Sequence, residues 1–345
     1  MDHKMSKIVF PAEWHSQSAI QLTWPHRHTD WASDLDDVIS CFVEITKEIT
    51  KRETALIVCR DQSEVRQQLG VVDESRIIFR EIMSNDTWAR DHGGITVFED
   101  GLPKVYDFVF NGWGMKFAAD MDNLITRRLS SMNTFAKDVE VINMQPFVFE
   151  GGSIESDGQG TLLTTMECLC SVNRNEYLQV EQLDYHLKEC FGANRILWLG
   201  HGYLAGDDTD CHIDMLARFC DEHTITYVRC DDKTDEHYDE LGLMEEELKA
   251  FRTTTGKPYR LLPLPMADEV VWNGKRLPAS YANFLIINGA VLIPFYQSAK
   301  DEIARQTLQQ VFTDREVIGI NCLPLLKQHG SLHCVTMQYP EGVVR

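Results

Sequence analysis

The chain has 345 residues, 43% hydrophobic and 25% charged, a balance that supports a large buried core and excludes a disordered chain. Its 33 lysines and arginines face 53 aspartates and glutamates, a net charge of −20, which argues against nucleic acid or an anionic membrane as partner and suits a cationic ligand. The 10 cysteines are scattered without a two-residue gap between any pair, no export signal opens the chain and no apolar run reaches bilayer length, so reduced thiols in a soluble, cytoplasmic protein are expected.

In chain order, residues 37–51 place apolar side chains at three- and four-residue spacing and predict a helix. The segment Asn85-Asp86-Thr87-Trp88-Ala89-Arg90-Asp91-His92-Gly93-Gly94 then packs a tryptophan, both signs of charge and two glycines ahead of a strand, more than a turn requires. Residues 95–98 and 104–110 read as a hairpin around Asp100-Gly101. The pattern returns: Glu150-Gly151-Gly152 before a hairpin of 153–155 and 161–165, and His212-Ile213-Asp214 before one of 215–219 and 224–228. A further hairpin is predicted at 283–287 and 290–295, and 332–338 starts a fifth. Helical periodicity recurs at 177–190 and 236–251. Asp91, Glu150 and His212 lie roughly 60 residues apart, and a period of that size predicts about five similar units around an axis. Each hairpin would send its leading polar residue to a shared centre.

The residues gathered there suggest one chemistry. Two carboxylates can clamp a planar guanidinium, whose paired donors match carboxylate oxygens. Cys334, between Gly330-Ser331-Leu332-His333 and an apolar strand, is the candidate nucleophile, since a thiol beside a bound cation and an imidazolium loses its proton more readily. In His212-Ile213-Asp214, an extended backbone would direct imidazole and carboxylate to the same side. Glu150 ends an apolar run, an unusual place for an acid. The expected sequence is attack by Cys334 on the guanidinium carbon, proton transfer from His212 to departing ammonia, and hydrolysis of the thiouronium by water that His212 activates. No metal or cofactor is required. The pair Cys168 and Cys170 is expected to pack in or beside a strand.

These segments resemble the agmatine deiminases of the guanidine-modifying superfamily. The resemblance runs through residues 85–94, 110–114, 150–165, 206–214, 276–284 and His333-Cys334, in family order over nearly the whole chain. It implies a pentein fold, a five-bladed α/β propeller of ββαβ units forming a single catalytic domain over residues 1–345. By position it implies Cys334 as nucleophile, His212 as general acid and base, Glu150 as its partner, and Asp91 and Asp214 as the guanidinium clamp. The implied reaction converts agmatine and water to N-carbamoylputrescine and ammonia, a step toward putrescine. Asp208 is the candidate for the distal amine, and Trp88 and Trp113 for the methylenes or the cation. Where relatives commonly carry Gly-Gly-Asn-Ile-His-Cys, this chain has Ser331 in place of the asparagine, and Met337 stands where glutamine is common.

Three rivals follow from the same residues: a bacterial-type protein-arginine or free-arginine deiminase, a non-catalytic pentein that only binds, and a metal hydrolase using His212, Asp214 and Asp91. A homo-oligomer is left open by the sequence.

Overall fold

The computed structural model describes residues 6–345, a mixed α/β architecture of five three- or four-stranded sheets and one two-stranded ribbon. Four sheets follow one recipe. An antiparallel hairpin leads through a helix to a third strand that runs parallel to the hairpin's second strand. The first is Ile95–Glu99 with Leu102–Val109, helix Ile125–Ser131 and strand Glu140–Val148. The second is Ile154–Ser156 with Thr161–Thr165, helix Val180–Phe191 and strand Arg195–Leu199. Ala217–Asp221 with Thr224–Arg229, helix Tyr238–Ala250 and strand Arg260–Pro265 make the third. Leu285–Ile287 with Ala290–Phe295, helix Lys300–Gln309 and strand Glu316–Asn321 make the fourth.

The fifth unit is split between the two ends of the chain. Strand Thr336–Pro340 pairs antiparallel with Gln17–Thr23, and helix Leu35–Thr50 then leads to Thr54–Cys59, parallel to Gln17–Thr23. The hairpin predicted to begin at residue 332 therefore finds its second strand at the amino-terminal end, and fixes the Cys334 segment from both sides.

The three helices predicted at 37–51, 177–190 and 236–251 form, and Ile125–Ser131 and Lys300–Gln309 join them. Along Leu35–Thr50 the buried residues Val38, Cys41, Phe42, Ile45 and Ile49 keep one face against the core, each large side chain contributing on the order of 1.5–3 kcal/mol by leaving water. Val180–Phe191 opens with the Gln179 amide donating to Gln182 Oε1 at 2.9 Å and stops at Gly192 in the left-handed conformation. A Cβ at Gly192 would stand 2.0 Å from the Ile8 carbonyl oxygen, so only glycine lets the helix end pack there. Among the described residues no helix is long and apolar enough to cross a membrane, and all 10 cysteines are free thiols.

One local expectation is corrected. His212-Ile213-Asp214 is not a strand: Ile213–Met215 is a 3-10 turn, with His212 capping it in extended geometry. The two side chains still converge, because His212 stands just outside the turn and Asp214 within it.

Candidate active site

Gly152 marks where the site converges. A Cβ placed on it would lie 2.5 Å from His212 Nδ1, 2.8 Å from Asp91 Oδ1 and 3.2 Å from Asp214 Oδ2. Three side chains from two sheet units thus meet over one hydrogen atom of Gly152, which stands at the head of a third. The Gly152 amide also donates to Asp91 Oδ1 at 3.0 Å.

His212 is buried and its Nε2 lies 2.8 Å from Glu150 Oε2, while Nδ1 stands 3.6 Å from Asp91 and has no hydrogen-bond partner. Burial alone would lower the imidazole's pKa, but the charge of Asp91 and the bond to Glu150 outweigh it and hold His212 well above its usual range. Burial works to raise the Glu150 pKa, and the His212 hydrogen bond and the Arg174 charge reverse this and keep it ionised. Arg174 donates through Nε and Nη2 to Glu150 at 2.9–3.1 Å, and through Nη1 to Asp210 at 2.6 Å. Cys168, expected merely to pack beside a strand, sits buried on the one-turn helix Met166–Leu169 with Sγ 4.0 Å from Glu150.

Asp91 lies on the short helix Ala89–His92, and burial pushes its pKa to about 6 against the pull of His212, with Asp214 and Glu150 adding to the rise. Its Oδ2 accepts the Trp113 indole N–H at 2.9 Å. To reach it, Trp113 adopts a left-handed backbone (φ 56°, ψ 48°) between two positive-φ glycines, a conformation costly to a bulky side chain and typical of functional sites. Asp214 is fully buried; burial would raise its pKa, but the bond and charge of His333 at 2.8 Å keep it below the usual carboxylate range. Its Oδ1 has no partner.

The Cys334 sulfur lies 4.0 Å from Asp214 Oδ2 and 3.3 Å from the Asn283 amide nitrogen. Burial, then Asp214 and Asp91, push the thiol well above its ordinary pKa. The expectation concerned a thiol beside a bound cation; without one, burial and the carboxylates keep Cys334 protonated.

Of these groups Asp91, Trp113, His212 and Cys334, but not Asp214, Glu150 or Arg174, open onto a cavity of about 150 Å³, lined by Asp30, Asp86, Trp88, Asp91, Trp113, Phe117, Asp207, Asp208, Thr209, His212, Met215, Gln328, His329, Gly330 and Cys334. Five of these are aspartates, and no lysine or arginine lines it. Burial brings Asp86 and Asp208 to about pKa 6. Gly330 packs against the Trp88 ring, where a Cβ would come within 2.1 Å. The two departures from the family pattern stay outside this cavity: Ser331 hydrogen-bonds the Tyr296 hydroxyl at 2.8 Å, and Met337 packs beneath Gly93 and Gly151.

Two buried acid–histidine clusters have the spacing of a metal site, Glu150 with Cys168 and His212, and Glu13 with Glu155 and His333. Each already holds a guanidinium, Arg174 on Glu150 and Arg218 on Glu13 and Glu155, so the donor sets suit buried ion pairs better than a cation. Arg174, Asn283, Asp86, His333, Glu13 and Arg218 were not singled out from sequence. Arg218 alone left a legible signal, a charge following the apolar run Met215-Leu216-Ala217 at the start of a strand.

The fold and the site define a deiminase: the chain belongs to the Porphyromonas-type peptidyl-arginine deiminase family, whose model matches residues 9–340. Among individual relatives, the agmatine deiminase of Stutzerimonas stutzeri is 32% identical, covering 97% of this chain and 96% of its own. A solved structure of an agmatine deiminase from C. jejuni with substrate bound is 36% identical with a TM-score of 0.91, over 100% of this chain and 99% of that one. A Porphyromonas gingivalis structure, provisionally named an arginine deiminase, is 56% identical with a TM-score of 0.95, over 98% of this chain and 100% of that one.

Proposed function

We propose that this chain hydrolyses the guanidinium group of agmatine to N-carbamoylputrescine and ammonia, with Cys334 as nucleophile, as a cytoplasmic enzyme of polyamine synthesis. The observation that carries the choice of substrate is the cavity wall: Asp30, Asp86, Asp207 and Asp208 share it with Asp91, and no lysine or arginine offers itself to a carboxylate. Agmatine brings a cation at each end and no carboxylate, whereas free arginine would place its carboxylate among these aspartates. A main-chain arginine would have to bring its peptide into the same acidic space.

In this reading Asp91 and Asp214 grip the guanidinium. Its charge offsets the carboxylates that raise the Cys334 pKa, and the thiol proton leaves to solvent. The thiolate adds to the guanidinium carbon, and the carbon–nitrogen bond to the departing group breaks as His212 gives that nitrogen a proton. Ammonia leaves and a thiouronium remains. The neutral imidazole takes a proton from water, the hydroxide adds to carbon, the carbon–sulfur bond breaks, and the surplus proton ends on ammonia. Glu150, anchored by Arg174, orients His212 throughout.

The same reading includes a single catalytic domain with the five sheet units set as blades of a propeller, as the shared order of hairpin, helix and parallel strand suggests. Ammonia release from agmatine, free arginine and an arginine-containing peptide separates the candidates. Agmatine is expected to dominate, and a preference for the peptide would return the protein-arginine deiminase reading. Cys334→Ser should lose turnover by more than about 10⁴-fold, since removing a nucleophile disables the whole unit, while agmatine still raises its thermal midpoint.

A further inference from the structure

We propose that His333, braced by Glu13 and Arg218, is a positioning residue that fixes Asp214 so that one carboxylate oxygen stays free for the substrate's guanidinium. The inference rests on the clamp role proposed for Asp214. It starts from an asymmetry: Asp214 Oδ2 is taken by His333 Nδ1 at 2.8 Å, whereas Oδ1, fully buried, has no partner. A buried carboxylate oxygen without a donor is costly unless something else supplies one, and a guanidinium entering beside Cys334 would do so.

The bracing lies on the far side of the ring. His333 Nε2 stands 2.7 Å from Glu13 Oε2 and 3.1 Å from Arg218 Nη2. Glu13 is itself fixed, accepting from the Ile286 amide at 2.7 Å. Arg218 is anchored on Glu155 and on the carbonyl oxygen of Phe284 at 2.6 Å, with its guanidinium 4.7 Å over the Phe284 ring. The His333 amide donates to Asn283 Oδ1 at 2.9 Å, and the Asn283 amide nitrogen faces the Cys334 sulfur. Two adjacent residues thus divide the work: Cys334 enters the cavity, and His333 turns away to hold the carboxylate that the thiol needs nearby. Without the ring, Arg218 keeps Glu13 and Glu155 as partners, but Asp214 loses its fixed donor.

A pair of reagents of nearly one shape tests this, 2-chloroacetamidine, a cation, and 2-chloroacetamide, which is neutral. Alkylation of Cys334 in the full chain is followed by mass spectrometry. Wild type should react faster with the cation; if it shows no preference, the clamp reading itself fails, independently of His333. With that preference established, His333→Ala should lower the ratio of the two rates by about tenfold or more, the worth of one hydrogen bond to a charged group, while the neutral reagent's rate changes little. His333→Asn, whose amide can donate from the place of Nδ1, should restore most of the ratio and the KM for agmatine. Glu13→Gln, which leaves the ring in place but loosens its support, should give an intermediate loss and serves if His333→Ala does not fold. A wild-type ratio in folded His333→Ala, or in Glu13→Gln where the alanine variant fails to fold, overturns the proposal.

Discussion

His212 and Glu150 face each other at 2.8 Å, Nε2 to Oε2, and the Glu150 carboxylate is held on its other side by the paired donors of Arg174. Arg174 does not line the cavity, so its effect on catalysis passes through Glu150. Arg174→Gln should lower kcat roughly 10- to 100-fold, part of what a placed general acid contributes, with a smaller change in KM. Removing one partner of a buried ion pair should also cost about 3–5 kcal/mol in denaturant unfolding. An unchanged kcat in a folded variant would detach Arg174 from the chemistry.

The hairpins and long helices were readable because their information is local: turn dipeptides between apolar runs, and periodicity along helices such as Leu35–Thr50. The parallel third strands were not, since a strand such as Glu140–Val148 finds its partner only across a helix and shows a mixed pattern of exposure. The pairing of Thr336–Pro340 with Gln17–Thr23 joins opposite ends of the chain, which no local rule reaches. Among the candidate residues, Glu150 stood out as an acid after an apolar run and Cys334 as a cysteine after small residues, while Asp91 was marked by the dense segment around it and His212 and Asp214 by their two-residue spacing. Arg174 stands between two asparagines in a polar stretch, and only tertiary packing turns it into a buried partner. Trp113 was expected to face the substrate; it does line the cavity, but its N–H is committed to Asp91.

The Asp208 side chain faces the cavity with its pKa raised to about 6 by burial, while its main-chain carbonyl oxygen accepts from Lys116 at 2.7 Å. If it meets the amine of agmatine, Asp208→Asn should raise KM by about tenfold or more, the scale of a charge-assisted hydrogen bond, with kcat nearly constant. Butylguanidine, which has the chain but no amine, supplies the control. Its KM should not move, and equal losses for both compounds would place Asp208 elsewhere in the reaction.

Acid should weaken the enzyme before it unfolds. Asp86, Asp91 and Asp208 all titrate near pH 6 because burial raises them, so each is negative above that pH and neutral below. A cationic substrate is attracted only by the charged forms. The kcat/KM for agmatine should therefore fall below about pH 6 with a slope steeper than one decade per pH unit, as expected when more than one group must be ionised. A single-proton limb near pH 4 would show that these aspartates keep ordinary affinities and contribute little to binding.

The tightest test of the geometry is one methyl group. Gly152 has no positive φ, so alanine is conformationally allowed, but its Cβ would press on His212 Nδ1 at 2.5 Å and Asp91 Oδ1 at 2.8 Å. Both neighbours are side chains that can yield, so the fold should survive while the imidazole and the clamp are displaced. A misplacement of about 1 Å at reacting groups costs on the order of 100-fold, and Gly152→Ala should lose at least that in kcat/KM with little change in thermal midpoint. Gly151→Ala is the contrast: its Cβ would strike the Arg90 carbonyl oxygen at 2.2 Å, a backbone atom that cannot turn aside, so this variant should lose stability. If Gly152→Ala instead kept near-wild-type activity, His212 and Asp91 would tolerate displacement, and the fixed convergence on which the proposed mechanism depends would be wrong.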